Sequence, residues 1–263
     1  MKIPLFHVDA FTNNPFKGNP AAVCLLNEEM PVAWMHAVAV EMNLSETAFL
    51  LPRQNGFQLR WFTPKVEVDL CGHATLASSF VLFEKGFVQS QEPIIYSTRS
   101  GDLKASLEDR RIILDFPSFD EKPCQAPLAL IKALGVKPVN VIASGENVII
   151  EVDSVNDVYQ LEPDFLELVK TPLHGVAVTA SSNVEEYDFI SRYFAPWAGI
   201  NEDPVTGSAH ACLGPYWGKR LGKQRMTAFQ ASARGGIVYL ELKGERVLLG
   251  GQAVMVFEGY LLT

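Results

Sequence analysis

Short apolar runs dominate this chain, and their spacing changes along it. "LSETAFLLP" (Leu44 to Pro52) and "GFQLRWFTP" (Gly56 to Pro64) alternate or run apolar in bursts of strand length. From His73 to Lys85 the period lengthens: Leu76, Phe80 and Phe83 fall at helical spacing, and Gly86 stands where a helix stops. "IIYST", "LKASLED" and "RIILDF" return to the strand pattern. The later part of the chain follows the same plan, with strands "GVAVTAS" and "YDFISRYF", a helix after Gly207, and strands "MTAFQAS", "GIVYLEL", "RVLLG" and "AVMVFEGYLL". A further amphipathic helix is predicted over Pro31 to Met42, with Pro31 suited to the first helical position. Short helices are predicted near Leu128 to Leu134 and Pro163 to Val169.

The plan recurs because the sequence recurs. "RWFTP" (Arg60 to Pro64) matches "RYFAP" (Arg192 to Pro196), and "LCGHA" (Leu70 to Ala74) matches "VTGSA" (Val205 to Ala209). "RSGDLKASLEDRRIILDF" from Arg99 matches "RGGIVYLELKGERVLLGG" from Arg234. The order is kept, and the second and third pairs share a spacing three residues longer than the first. An α+β protein of two pseudo-symmetric domains is expected, each a mostly antiparallel sheet wrapped around one central helix. The boundary is expected in the Pro- and polar-rich stretch Pro117 to Pro127. That gives halves of 1–117 and 118–263, with the last strand able to cross over to the first domain. Pro215 breaks the symmetry: it deletes a backbone bond to Ala211, so the second central helix is expected to be kinked or short.

Composition narrows the function classes. The 263 residues are nearly half apolar and one-fifth charged, which describes a folded globular chain. A net charge of −8 argues against nucleic-acid and anionic-membrane partners. No run is long enough for a signal peptide or a membrane span, and a cytoplasmic location is expected. The four cysteines (Cys24, Cys71, Cys124, Cys212) are scattered without a C-x-x-C pair, so they read as reduced thiols and no metal site is expected.

Candidate chemistry gathers at the two matched turns. Gly72 and Gly207 each stand directly before a helix, where unpaired N–H groups and a partial positive charge favour an anion. Two such turns facing one cleft between domains would hold a carboxylate. Thr206 and Ser208 add hydroxyl donors, and either can cap its helix. His73 stands beside one turn and Asp203 beside the other. Cys71 has Thr206 as its repeat counterpart, so an opposed pair of catalytic thiols is missing, and Cys71 reads as a residue lining the site. Cys212 lies well into the helix and reads as core. Glu46, at the start of an apolar strand, is the best remaining base; partial burial would raise its pKa toward neutrality. Its repeat counterpart is read as Val178, which has no acid–base chemistry. The bland alternatives are an exposed strand-end Glu46 and an exposed first-turn His73. Walker, G-x-G-x-x-G and G-x-S-x-G motifs are not present.

"DAFTNNPFKGNPAAV", "NLSETAFL", "RWFTP", "DLCGHATLAS", "EDPVTGSAH" and "ARGG" together resemble the phenazine-biosynthesis PhzF-like family, which shares the fold of diaminopimelate epimerase. The likeness covers nearly the whole chain. It implies cofactor-free isomerase chemistry in a site between two similar domains, on a small carboxylic acid. It also implies catalytic roles for Glu46, His73 and Asp203, and a hydroxyl donor in Ser208. Asn19, Cys71, Gly72, Thr206, Gly207 and Ser208 are the expected substrate contacts. Family likeness further implies a homodimer. Two other readings stay open: an amino-acid racemase or epimerase pairing Cys71 with a second base, and a non-catalytic binding module that has kept the pocket.

Overall fold

The structure is a computed structural model describing residues 2–171 and 173–262. The chain divides into two compact units, one of Met1–Asp115 with Gly250–Thr263 and one of Phe116–Leu249. The first holds β1 (Lys2–Ala10), β2 (Asn19–Leu25), α1 (Val32–Met42), β3 (Glu46–Arg53), β4 (Gly56–Phe62), β5 (Glu67–Val68), α2 (Gly72–Glu84), β6 (Ile94–Thr98), β7 (Gly101–Glu108) and β8 (Arg111–Pro117), and it takes the C-terminal strand β18 (Ala253–Leu262). The second holds β9 (Glu121–Pro123), α3 (Leu128–Leu134), β10 (Asn140–Ser144), β11 (Asn147–Glu151), α4 (Val155–Tyr159), α5 (Phe165–Leu168), β12 (Gly175–Ser181), β13 (Phe189–Ala195), β14 (Ile200–Asp203), α6 (Gly207–Leu221), β15 (Arg225–Gln230), β16 (Gly236–Lys243) and β17 (Arg246–Gly251).

Within the first unit β18 pairs antiparallel with β1, β1 antiparallel with β2, and β2 parallel with β3. Strand β3 pairs antiparallel with β4; β4 then meets β5 antiparallel and β6 parallel, before the β6–β7–β8 meander. The second unit repeats this scheme. Strand β9 takes the place of β18, and β10 to β16 follow with parallel steps at β11–β12 and β13–β15. Strands β1, β2, β5, β9, β10, β11 and β14 are additional to those read from pattern. Strand β2 is small and apolar on both faces (Ala21, Ala22, Val23 and Cys24 are all buried), so it carries no alternation to read.

The sheet of the first unit has a helix on each face. Ala22 and Cys24 of β2 and Phe49 and Leu51 of β3 share a core with Met35, Val38 and Ala39 of α1. Side chains alternate along a strand, so Ala21, Val23, Glu46, Ala48 and Leu50 lie on the other face. Helix α2 occupies that face and packs against β1, β2, β3, β7 and β18, so the strands curl around it. It is buried almost all round, at His73 through Ser79 and again at Val81 and Leu82. Small residues make this possible, and Ser79 satisfies its hydroxyl with Tyr96 and the Thr75 carbonyl, both at 2.8 Å.

Helix α6 is enclosed in the same way and packs on β11, β15 and β16. It is not short: it continues for 15 residues with Pro215 inside it, against 13 in α2. Enclosure on all sides outweighs a lost backbone bond worth about 3 kcal/mol in an isolated helix. Gly218 shows how close the strands come. A Cβ there would lie 2.4 Å from Leu242 Cδ1 and 2.9 Å from the Lys223 carbonyl oxygen.

Gly218→Ala therefore reverses the usual sign. In an open helix this exchange stabilises by up to about 1 kcal/mol. Here overpacking is expected to cost about 1–3 kcal/mol. The urea unfolding midpoint measures it, and a midpoint that rises would refute the tight enclosure of α6.

Candidate active site

One ion pair, present twice, leads into each matched turn. In the first unit the Arg60 guanidinium donates to both Glu67 oxygens at 2.7 and 2.8 Å, joining β4 to β5. In the second the Arg192 guanidinium donates to both Glu202 oxygens at 2.6 and 2.9 Å, joining β13 to β14. Each arginine also covers a phenylalanine ring, Phe62 at 5.3 Å and Phe194 at 5.2 Å. Such bidentate, partly buried pairs are the strong kind, and Arg60 holds the Glu67 carboxyl below the usual carboxylate range. The turns that follow are thereby anchored at their entry.

Past the first pair, Cys71 stands at the N-cap of α2 in extended conformation, Gly72 opens the helix half-buried, and His73 follows, buried. The Thr75 hydroxyl and amide both donate to the Cys71 carbonyl, at 2.5 and 3.2 Å, locking the turn. Glu46 is the first residue of β3, on the face that α2 covers, paired with Ala21. Asn19, two residues before Ala21 on the same face of β2, is fully buried beside that ladder end.

Three reactive side chains meet here. His73 Nε2 lies 3.3 Å from Glu46 Oε2, their side chains 5% and 13% exposed. The approach is close, but the two atoms are not aligned as a hydrogen bond. On the other side of the ring, His73 Nδ1 lies 3.5 Å from Cys71 Sγ. Burial lowers the pKa of His73 from 6.5 to about 3, so the ring is neutral at physiological pH. Glu46 is neither a fully exposed strand end nor is His73 an exposed helix residue. The thiol, imidazole and carboxylate donor atoms all lie within 4.8 Å of one another, so this cluster could also hold a metal ion.

The second unit builds a different network. The Thr206 hydroxyl donates to Asp203 Oδ2 at 2.5 Å, and the Thr206 amide donates to Gln230 Oε1 at 2.9 Å. The Gln230 amide nitrogen donates back to the Asp203 carbonyl at 2.7 Å. Asp203, Thr206 and Gln230 are buried, Gly207 is buried at the first position of α6, and Ser208 follows half-buried. Thr206 holds the N-cap position, yet its side chain does not cap: its hydroxyl donates to Asp203 and accepts from the Gln230 amide nitrogen at 3.3 Å. The α2 start likewise lacks a side-chain cap, whereas the surface helices α4 and α5 are capped by Ser154 and Asp164. Both central helices therefore begin with first-turn N–H groups that no capping side chain accepts. Gln230 was not foreseen; a lone glutamine at a strand end carries no motif, and only the parallel β13–β15 pairing brings it under the turn.

The counterpart of Glu46 needs correcting. Strand β4 sets Trp61 opposite Ala48, and β13 sets the matching Tyr193 opposite Ala177. Glu46 therefore corresponds to Gly175, three residues before Val178. Face parity agrees: Val178 packs into the core beneath α3 to α5, the opposite side from α6. The longer loop between β12 and β13 shifted the repeat, a change that sequence matching from Arg192 onward does not register. At Gly175 a Cβ would fall 1.8 Å from the Tyr193 hydroxyl, so that phenol fills the space the missing side chain leaves. Tyr193 donates to Asn147 Oδ1 at 2.7 Å, and burial followed by the nearby Asp203 charge pushes its pKa up. Where one unit carries a carboxylate, the other carries a phenol that keeps its proton. Cys212, as expected, is buried core, with its thiol donating to the Ser144 carbonyl at 3.3 Å.

Residues 8–259 match the family model described as phenazine biosynthesis-like protein. A protein of Halalkalibacterium halodurans named as an uncharacterised isomerase is 52% identical over 265 residues, covering 100% of this chain and 99% of that one. Another so named, from Pseudomonas aeruginosa, is 46% identical over 262 residues, covering 99% of each. The crystal structure of a PhzF-family protein of Enterococcus faecalis matches with a TM-score of 0.95 at 42% identity, covering 100% of both chains. None of the described helices is long and apolar enough to cross a membrane.

Burial of the two histidines sets an acid limit on stability. His210, stacked on Phe189 with its Nδ1 2.8 Å from the Thr206 carbonyl, has its pKa lowered by burial to about 4, as His73 does to about 3. Both folded values lie below the ordinary 6.5, so the unfolded chain binds more protons as pH falls. Stability is then complete above about pH 6.5 and declines below it, by up to about 1.4 kcal/mol per pH unit for each histidine. Carboxylates such as Glu67 add their own loss only below about 4.5. Denaturant midpoints between pH 4.5 and 7 should show this slope, shallower in His210→Asn; a flat profile would contradict the burial of neutral rings.

Proposed function

The chain belongs to the phenazine biosynthesis-like (PhzC-PhzF) family, and on that premise we propose that it is an isomerase that moves a proton, without a cofactor, within a small carboxylic acid. The observation that carries the reading is the approach of Glu46 to a buried, neutral His73. Glu46 takes a proton from a carbon made acidic by conjugation and returns it at another carbon. The double bond moves as the proton does, and neither oxidant nor reductant is consumed. A neutral imidazole donates a hydrogen bond to charge developing in the transition state without carrying a positive charge of its own. Uncapped helix N–H groups suit the substrate carboxylate, with Cys71, Gly72 and Asn19 lining the site. We extend the proposal to Asp203, Thr206, Gly207 and Ser208 of the second unit, as further substrate contacts. Asp203 binds a substrate amine or hydroxyl, or fixes its neighbours through Thr206. A homodimer and a cytoplasmic setting belong to the same proposal.

A second reading has one observation in its favour. Cys71 Sγ is 3.5 Å from His73 Nδ1, so a thiol base acting with Glu46 would give an epimerase.

A screen of small carboxylic acids for thermal stabilisation supplies the ligand, since a compound well above its dissociation constant raises the melting temperature. With an acid that is turned over, Glu46→Gln is expected to lower kcat about 10²–10⁴-fold and to leave binding within a few-fold. Asp203→Asn is expected to weaken both kcat and binding. Undiminished turnover by the Glu46 variant would eliminate its role. Cys71→Ala is expected to keep most activity; if it loses as much as Glu46→Gln, and heavy water labels an inverted stereocentre, the epimerase reading replaces this one.

A further inference from the structure

The cluster at the start of α2 has a second capacity beyond proton transfer. We propose that Glu46, Cys71 and His73 form a binding site for a thiophilic divalent cation of the zinc class, and that its occupancy shuts off turnover. The binding half stands on the first unit's geometry; the inhibitory half rests on the reading of Glu46 and His73 given above.

The donor set is the first argument. One sulfur, one imidazole nitrogen and one carboxylate oxygen suit zinc or cobalt, whereas magnesium and calcium take oxygen ligands. Three protein ligands leave a fourth position for water or a substrate carboxylate. Spacing is the second. Ligand atoms of a tetrahedral zinc lie about 3.5 Å apart, given its bond lengths, and Cys71 Sγ and His73 Nδ1 are already 3.5 Å apart. One donor atom from each of the three residues can be chosen so that all lie within 4.8 Å of one another. Glu46 Oε2 stands 3.3 Å from the other ring nitrogen, Nε2, so its side chain has to turn toward Nδ1 to complete the set. Rigidity is the third: Cys71 and His73 sit on a turn locked by Thr75 and on a helix buried on nearly every side. The second unit supplies the internal blank. Its matching positions are Gly175, Thr206 and Ser208, the same backbone without a thiol, an imidazole or a carboxylate. On binding, the thiol proton leaves to water as the metal–sulfur bond forms. Glu46 is then held by the ion through one oxygen, with its negative charge shared with the metal, which makes it a much weaker base toward a substrate carbon.

Cobalt(II) added to the chelator-treated full chain tests the site without any substrate. One equivalent is expected to raise a near-ultraviolet thiolate-to-cobalt charge-transfer band, which zinc then abolishes. The band is expected to vanish in Cys71→Ser and to persist in Cys124→Ser. Should Cys71→Ser not fold, His73→Asn is read instead by zinc competition against a chromogenic chelator. It should weaken zinc by more than the roughly 10–100-fold that follows loss of an outer-shell partner. No band, or a band that survives Cys71→Ser, overturns the site. Stoichiometric zinc is expected to stop turnover of the acid found by the screen, with recovery on chelation. A cobalt band with turnover untouched by zinc overturns the inhibitory half and the proton-transfer role of Glu46, while the metal site stands. An inactive Glu46→Gln with no cobalt band removes the metal site alone.

Discussion

A helix enclosed by its own sheet cannot shift its ends, and that constraint underlies the rest of this molecule. Helix α2 touches strands from β18 round to β7, so its start is held from several directions at once. Enclosure demands small side chains, which explains the run of Ala, Thr and Ser after His73 and the glycines of α6. It also favours local partners for buried polar groups, which the Thr75 and Ser79 hydroxyls find within the helix and its cap. The Arg60–Glu67 and Arg192–Glu202 pairs then fix the strand that enters each helix. Reactive groups on the first turn inherit this rigidity, and a positioned acid–base group depends on it.

The two units share a pairing scheme and an ion pair but divide the chemistry. One start carries a thiol and an imidazole facing a carboxylate. The other carries a threonine, an aspartate and a glutamine joined in a closed set of hydrogen bonds. The frames match, and three places differ: Glu46 against Gly175, Cys71 against Thr206 and His73 against Ser208 give the first unit a carboxylate, a thiol and an imidazole that the second lacks. The Tyr193 phenol, seated where the Glu46 side chain would lie, keeps the second unit's core packed without adding a base.

Much of the fold was readable because its signals are local. Helical spacing from His73, the Leu128–Leu134 helix and the paired RWFTP and RYFAP segments all come from neighbours within a few residues, as does the helix to Met42, which begins at Val32 with Pro31 as its N-cap rather than its first residue. Strand β2 was missed because both of its faces are buried, and β5, two residues long, exists only through its pairing with β4. The short helix α4 was missed as well, although its Ser154–Asp157 capping box is a sequence signal that could have found it. At the site, Glu46 and His73 were chosen separately, one from its apolar strand and one from its turn. Nothing in the sequence says that they approach to 3.3 Å, since that depends on α2 covering the β3 face.

What the sequence determined by itself was the repeat, the elements and the residue types available for chemistry, because apolar period, turn residues and helix starts act over short range. What only the tertiary structure decided was register and partnership. It moved the counterpart of Glu46 from Val178 to Gly175, brought Gln230 beneath Thr206, turned the Thr206 hydroxyl from a cap into a donor for Asp203, and kept α6 intact through Pro215. The physical reason is the same in each case: a long-range ladder or an enclosing sheet adds free energy that local preference cannot report, and where the two disagree the larger contribution prevails.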